Sequence, residues 1–197
     1  MLPLYTLVIP YHKLFQQSKN TTLDSNLYRG IYLISSSGCT IANNTASNSD
    51  GIGLESSNNN RIINKDASSN SMHCIILRNS AYNTITNNNA SNGKYGIHLY
   101  GASYNTITNN TANSCSFIAI HLTKNSNNNI LANNTAKHSH VGIYIGSSSN
   151  NTVKNSRIEN NDGYGIYIDM AGNPANHIYN NLFNNTCLLY TSPSPRD

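Results

Sequence analysis

Tryptophan is absent from the 197 residues and only 10% of them are charged, so the chain has little with which to build a thick globular core or a densely charged surface. Basic residues outnumber acidic ones by 12 to 8, yet no run of Lys or Arg occurs. The pI near 8.9 therefore reflects a shortage of acids, and nucleic acid is not an expected partner. The four cysteines, Cys39, Cys74, Cys115 and Cys187, show no Cys-x-x-Cys spacing, which argues against both a zinc site and a disulfide framework. No stretch reads as a membrane span. Met1 to Phe15 is apolar, but it carries Pro3 and Pro10 and lacks a basic start or a small-residue cleavage site, so it does not read as a signal peptide.

What the chain has instead is repetition. One apolar position recurs as Ile31, Ile52, Ile75, Ile97, Ile120, Ile143 and Ile166, and two residues on stand Leu33, Leu54, Leu77, Leu99, Leu122, Ile145 and Ile168. This period-2 pattern predicts a strand with one buried face, and the interval of about 21 to 25 residues marks a solenoid. A second inward column follows at Ile41, Ile62, Ile85, Ile107, Leu131, Val153 and Ile178, and a third at Ala46, Ala67, Ala90, Ala112, Ala136, Ile158 and Phe183. Three inward positions predict three short strands per coil.

Two residues past the second column an asparagine stands in every coil: Asn43, Asn64, Asn87, Asn109, Asn133, Asn155 and Asn180. A further amide column runs Asn60, Asn83, Asn105, Asn129, Asn151 and Asn176, with Cys39 in the first coil. Amides stacked at the strand spacing of about 4.8 Å can bond to one another up the axis, so both columns predict asparagine ladders, which require in-register parallel stacking. A leucine-rich repeat shares the period but needs a helix-forming half, and here that half is Asn, Ser, Thr and Gly. The expectation is an all-β, single-stranded parallel β-helix of about seven coils. Residues 30–186 would hold the coils and residues 1–29 a cap or partial coil.

Gly96 to Ser114, GIHLYGASYNTITNNTANS, and Gly142 to Asp169, GIYIGSSSNNTVKNSRIENNDGYGIYID, resemble the right-handed parallel β-helix repeats of NosD-type proteins and of the carbohydrate-binding and sugar-hydrolase β-helix families. The resemblance covers Gly30 to Asn185 and implies a right-handed, pectate-lyase-like solenoid. It implies an extracellular, cell-surface or periplasmic setting too, but it does not choose a chemistry, because one such scaffold serves lyases, hydrolases, epimerases, adhesins and pure binders. NosD-type proteins are linked to copper delivery. The tail Cys187 to Asp197 shares nothing with the coils and resembles translated sequencing-adapter sequence. The whole reads as part of a longer chain, with neighbouring domains among its expected partners.

Function is sought on the outer face of the first strand, between its two inward positions. That column reads Tyr32, Gly53, Ile76, His98, His121, Tyr144 and Tyr167, with Tyr100 further along one strand. Rings with a flat apolar face and a polar edge suit sugar recognition, so Tyr32, His98, Tyr100, His121, Tyr144 and Tyr167 are the candidate ligand-binding residues and a polysaccharide or glycan the candidate partner. The competing reading is that aromatic residues are good strand formers stacking with their vertical neighbours. His98 and His121, in adjacent coils, are the candidate metal ligands, though two imidazoles lack a third partner. His138 and His140, in a turn near Cys115 of the coil below, are a second metal candidate, with solvated turn residues as the plainer reading. No cofactor is expected.

An enzyme of this architecture needs carboxylates gathered around one scissile bond, on the order of 5–10 Å apart. Asp50, Glu55 and Asp66 lie in the second coil and Glu159, Asp162 and Asp169 in the last two, too far up the axis to cooperate with the first group. The column Arg29, Asp50, His73 is the candidate catalytic trio, with a charge-compensated strand edge as its plain alternative. Glu55 beneath Arg78 reads as a surface ion pair. Asp169 precedes a lengthened loop that could line a pocket. The sequence thus supports a carbohydrate-binding or structural β-helix module, with a polysaccharide-active enzyme fragment and a copper-handling accessory protein as alternatives.

Overall fold

The structure is a computed structural model and describes residues 7–9, 17–19, 30–48, 51–169 and 175–191. Its strands form three sheets of nine, eight and four members, every pair of them parallel. Successive coils pair without slippage: Ile75 lies beside Ile97, Ile97 beside Ile120, Ile120 beside Ile143 and Ile143 beside Ile166. A one-residue slip would turn every inward Ile outward, so the apolar columns themselves hold the register. Three isolated bridges, Thr45 to Asp66, Asp66 to Asn89 and Asn89 to Thr111, extend the third sheet downward. Outside the 30–186 block, Leu7–Ile9 pairs with Ile31–Ile34, Gln17–Lys19 with Thr40–Ala42, and Cys187–Thr191 with Tyr164–Asp169.

The inward columns form one continuous core from Ile31 to Ile168, as their spacing predicts, with Ile178 and Phe183 packed partly buried against it. In the third column alanine gives way to Ile158 and Phe183, so the interior is filled by larger side chains toward the upper end. Cys39, Cys74 and Cys115 are buried free thiols. Burial pushes Cys74 up to about 12 and Cys115 up to about 11, so both remain protonated and unreactive.

The two amide columns behave differently. In the Asn60 column each side-chain oxygen accepts the backbone N–H of the coil below: Asn60 N–H to Asn83, Asn83 to Asn105, and Asn105 to Asn129, all at 2.8 Å. The amide nitrogens donate to backbone carbonyls, Asn105 to that of Ser80 at 3.0 Å. This ladder serves buried turn groups that no strand pairing reaches.

The Asn43 column is instead exposed and left-handed, with φ between 51° and 57° from Asn43 to Asn180. Asparagine is selected there because it tolerates that backbone region. The buried ladder lies one residue further on, where Lys65, Asn88, Asn110, Asn134, Ser156 and Asn181 are linked in turn. Asn105→Ala is therefore expected to cost about 2–4 kcal/mol, because it orphans buried donors, and Asn109→Ala only about 1 kcal/mol of backbone strain. Urea midpoints of the two variants check the difference.

Candidate ligand groove on the first sheet

The outer column stands in the expected order, with Tyr32 beside Gly53, Gly53 beside Ile76, Ile76 beside His98, and then His121, Tyr144 and Tyr167. Strict alternation, however, fails at its edge. Tyr95 and His98 are an odd number of residues apart, yet their rings stack at 5.4 Å on one face. The strand bends at the small residues Gly96, Ala119 and Gly142. A Cβ on Gly96 would lie 2.5 Å from the Ala119 carbonyl oxygen, and one on Gly142 would lie 2.6 Å from that of Gly165. That bend turns a neighbouring column, His73, Tyr95, Ile118, Val141 and Tyr164, toward the same surface.

Ile118 and Val141 sit in this column between two tyrosines, and where they replace rings the surface is hollow. The resulting groove of about 340 Å³ is lined by Phe117, Ile118, His121, His140, Val141, Tyr144, Tyr164 and Tyr167. Ile118 and Val141 are buried and form its floor. Tyr144 and Tyr167 stack at 5.0 Å with an interplanar angle of 4°, and Phe117 and His140 stack at 6.1 Å and 6°. Tyr164 meets Tyr167 edge-on at 5.3 Å. Three consecutive coils contribute, so the groove runs about 10 Å along the axis.

Two carboxylates fix the rim. Asp162 Oδ1 lies 2.8 Å from His140 Nδ1, and the Tyr144 hydroxyl donates to Asp169. Burial and the Asp169 charge raise the Tyr144 phenol above its usual range, so it stays a neutral donor. Gly146 leaves room for that ring, since a Cβ there would fall 2.5 Å from Tyr144 Cε1.

Below the groove His73, His98 and His121 form a stack, with centroids 5.1 Å apart for the first pair and 4.3 Å for the second. Tyr95 stacks against all three. His98 Nδ1 lies 3.1 Å from His73 Nε2, and His98 Nε2 lies 3.2 Å from Thr123 Oγ1. An N···N hydrogen bond needs one lone pair, so the two rings cannot both be fully protonated. Burial, reinforced by neighbouring imidazoles, lowers His98 to about 3 and His121 to about 4. His98 and His121 are neutral at physiological pH. Among the described residues no three His, Cys, Asp or Glu gather around a metal position.

The candidate residues are thus divided. His121, Tyr144 and Tyr167 line the groove, His98 is 9% exposed within the stack, and Tyr100 is exposed beside it, edge-on to His98. Tyr32 stands roughly 29 Å down the axis from Tyr167 and donates its hydroxyl to Glu55, which makes no ion pair with Arg78. His73 belongs to the stack, whereas Arg29 and Asp50 lie outside the described residues. The lengthened loop after Asp169 is likewise outside them, from 170 to 174. Phe117, Ile118, Val141 and Tyr164 escaped the sequence reading, which placed His140 only in a turn and Asp162 only among the upper carboxylates. The signal for Ile118, Val141 and Tyr164 was the column that starts at Arg29, Asp50 and His73, followed to its upper end.

Coils of three parallel strands, inward aliphatic columns and amide ladders define a parallel β-solenoid. The chain belongs to the right-handed β-helix family, whose model, described as a right handed beta helix region, matches residues 15–138 and 66–194. Among solved structures it is similar to the periplasmic alginate epimerase AlgG, with a TM-score of 0.76 at 21% identity over 82% of this chain and 43% of that one. It is also similar to the A-module of Azotobacter vinelandii mannuronan C-5 epimerase AlgE4, at 0.58 and 16% over 88% and 50%. The Dettilon tailspike protein gp208 gives 0.59 and 17% over 81% and 43%. At these identities the likeness is one of fold. The chain spans at most 50% of these three structures. No curated protein sequence matches it.

Proposed function

We propose that this β-helix is a carbohydrate-binding module of an extracellular or periplasmic protein, and that the groove on its first sheet holds the sugar. The observation that carries this reading is the lining itself: two pairs of stacked rings face each other across an aliphatic floor, over a length matching about two sugar units. Sugar rings have apolar C–H faces and polar edges, and aromatic walls with phenol and imidazole edges complement both. Fold neighbours whose names refer to alginate and mannuronan agree with a polysaccharide setting.

Glycan-array screening followed by calorimetric titration tests it. Tyr144→Ala/Tyr167→Ala is expected to weaken binding by about 100-fold or more, and Gly146→Ala, which displaces the Tyr144 ring, by about tenfold. Unchanged affinity in the double variant removes the groove as the site. A second reading, a polysaccharide-active enzyme, is favoured by the His140 and Asp162 pair, in which a carboxylate orients an imidazole at the groove, as a general base requires. Glycan conversion abolished by His140→Gln with binding retained would select it.

A further inference from the structure

We infer that the groove accepts uncharged sugar units and rejects polyuronates, the charged class to which alginate belongs; this rests on the carbohydrate-binding reading above. The two charged side chains that touch lining residues are both acidic. Asp162 touches His140 on one wall and Asp169 touches Tyr144 on the other. No Lys or Arg is among the described lining residues. Lys94 stands over the Tyr95 ring, 5.8 Å from its centroid, one coil below the groove.

A polyuronate carries one carboxylate per unit and would bring about two negative charges against these two aspartates with no guanidinium or ammonium to receive them. Neutral hydroxyls meet no such penalty. Asp162 also lines a polar hollow of about 460 Å³, together with Asn160, Asn161, Asn184, Asn185 and Thr186, none of which is charged. A cationic sugar is not favoured either, because each carboxylate already has a partner, His140 for Asp162 and the Tyr144 hydroxyl for Asp169.

Calorimetric titration of the whole chain with neutral gluco-, manno- and xylo-oligosaccharides, oligomannuronate, oligogalacturonate and chitosan oligomers provides the test. At least one neutral series is expected to bind, with an affinity constant within about twofold from about 0.05 to 0.5 M salt. The uronates should bind roughly tenfold weaker or worse, the penalty of a like charge about 10 Å away near a protein surface. Asp162→Asn/Asp169→Asn should narrow the ratio of neutral to uronate affinity, a ratio that any loss common to both series leaves unchanged. Uronates or chitosan binding more tightly than every neutral series, or an affinity that falls steeply with salt, overturns the inference and leaves the carbohydrate reading standing. Failure of every oligosaccharide to bind overturns both.

Discussion

Acidification from pH 6.5 to 4.5 is expected to remove on the order of 4 kcal/mol of stability through His98 and His121 alone. In the unfolded chain both imidazoles titrate near their ordinary value of about 6.5. In the folded chain the stack holds His98 at about 3 and His121 at about 4. Between those limits the unfolded state binds more protons than the native state, so stability is complete above about pH 6.5 and drains away as the pH falls toward the folded values. The groups that set the effect are the burial of both rings, the mutual proximity of His73, His98 and His121, and the Arg78 charge near His98. The unpartnered, buried Nδ1 of His121 adds a desolvated atom with nothing to share a proton. Urea unfolding measured at intervals from pH 7 to 4.5 gives the slope. His98→Phe/His121→Phe keeps aromatic stacking but cannot take up protons, and its slope should be shallower by about two protons. Parallel slopes in the two proteins would refute the assignment.

Replacing Lys65 by asparagine is expected to stabilise the protein by about 2–4 kcal/mol at neutral pH. Lys65 occupies a rung of the buried amide ladder, where it is 2% exposed and its Nζ has no hydrogen-bond partner. Burial lowers its amine to about 7. Because the unfolded chain holds that proton up to about pH 10.4, the wild-type protein gains stability as the pH rises from 7 toward 10.4, and the asparagine variant does not. The advantage of Lys65→Asn should therefore be greatest at or below pH 7 and shrink in alkali. Asn88 already accepts the backbone N–H of residue 65, so the new amide enters a rung whose neighbour is in place. A variant no more stable than the parent at pH 7 would show that the Lys65 amine escapes to water by a small rearrangement.

The coil was readable because its determinants are local and repeated. Ile75, Leu77, Ile85 and Ala90 mark the inward positions of one coil, and every later coil restates them. The amide columns were half readable. Asparagine is favoured both on a buried rung, as at Asn105, and in a left-handed turn, as at Asn109, and sequence does not distinguish the two without knowing which faces solvent. The groove was readable only along its main column, from His121 to Tyr167. Phe117 and His140 reach it across a bend that breaks the two-residue alternation, and the hollow itself comes from what Ile118 and Val141 lack relative to Tyr95 and Tyr164. A recess made by small residues carries no motif. It becomes visible when columns are compared side by side.

The unbroken register from coil to coil has an evolutionary consequence. Each rung accepts a backbone N–H from the rung below and donates its own to the rung above, at sequence separations of 21 to 25 residues. Unequal crossing-over that duplicates one coil-length of gene would insert a layer whose ladder partners already exist on both sides, lengthening the column by about 4.8 Å. Copying the layer that bears Tyr144 would add another aromatic step to the recess, whereas losing a single codon from a strand would turn an aliphatic row outward. Insertions and deletions in lineages carrying this chain should accordingly come in whole coils.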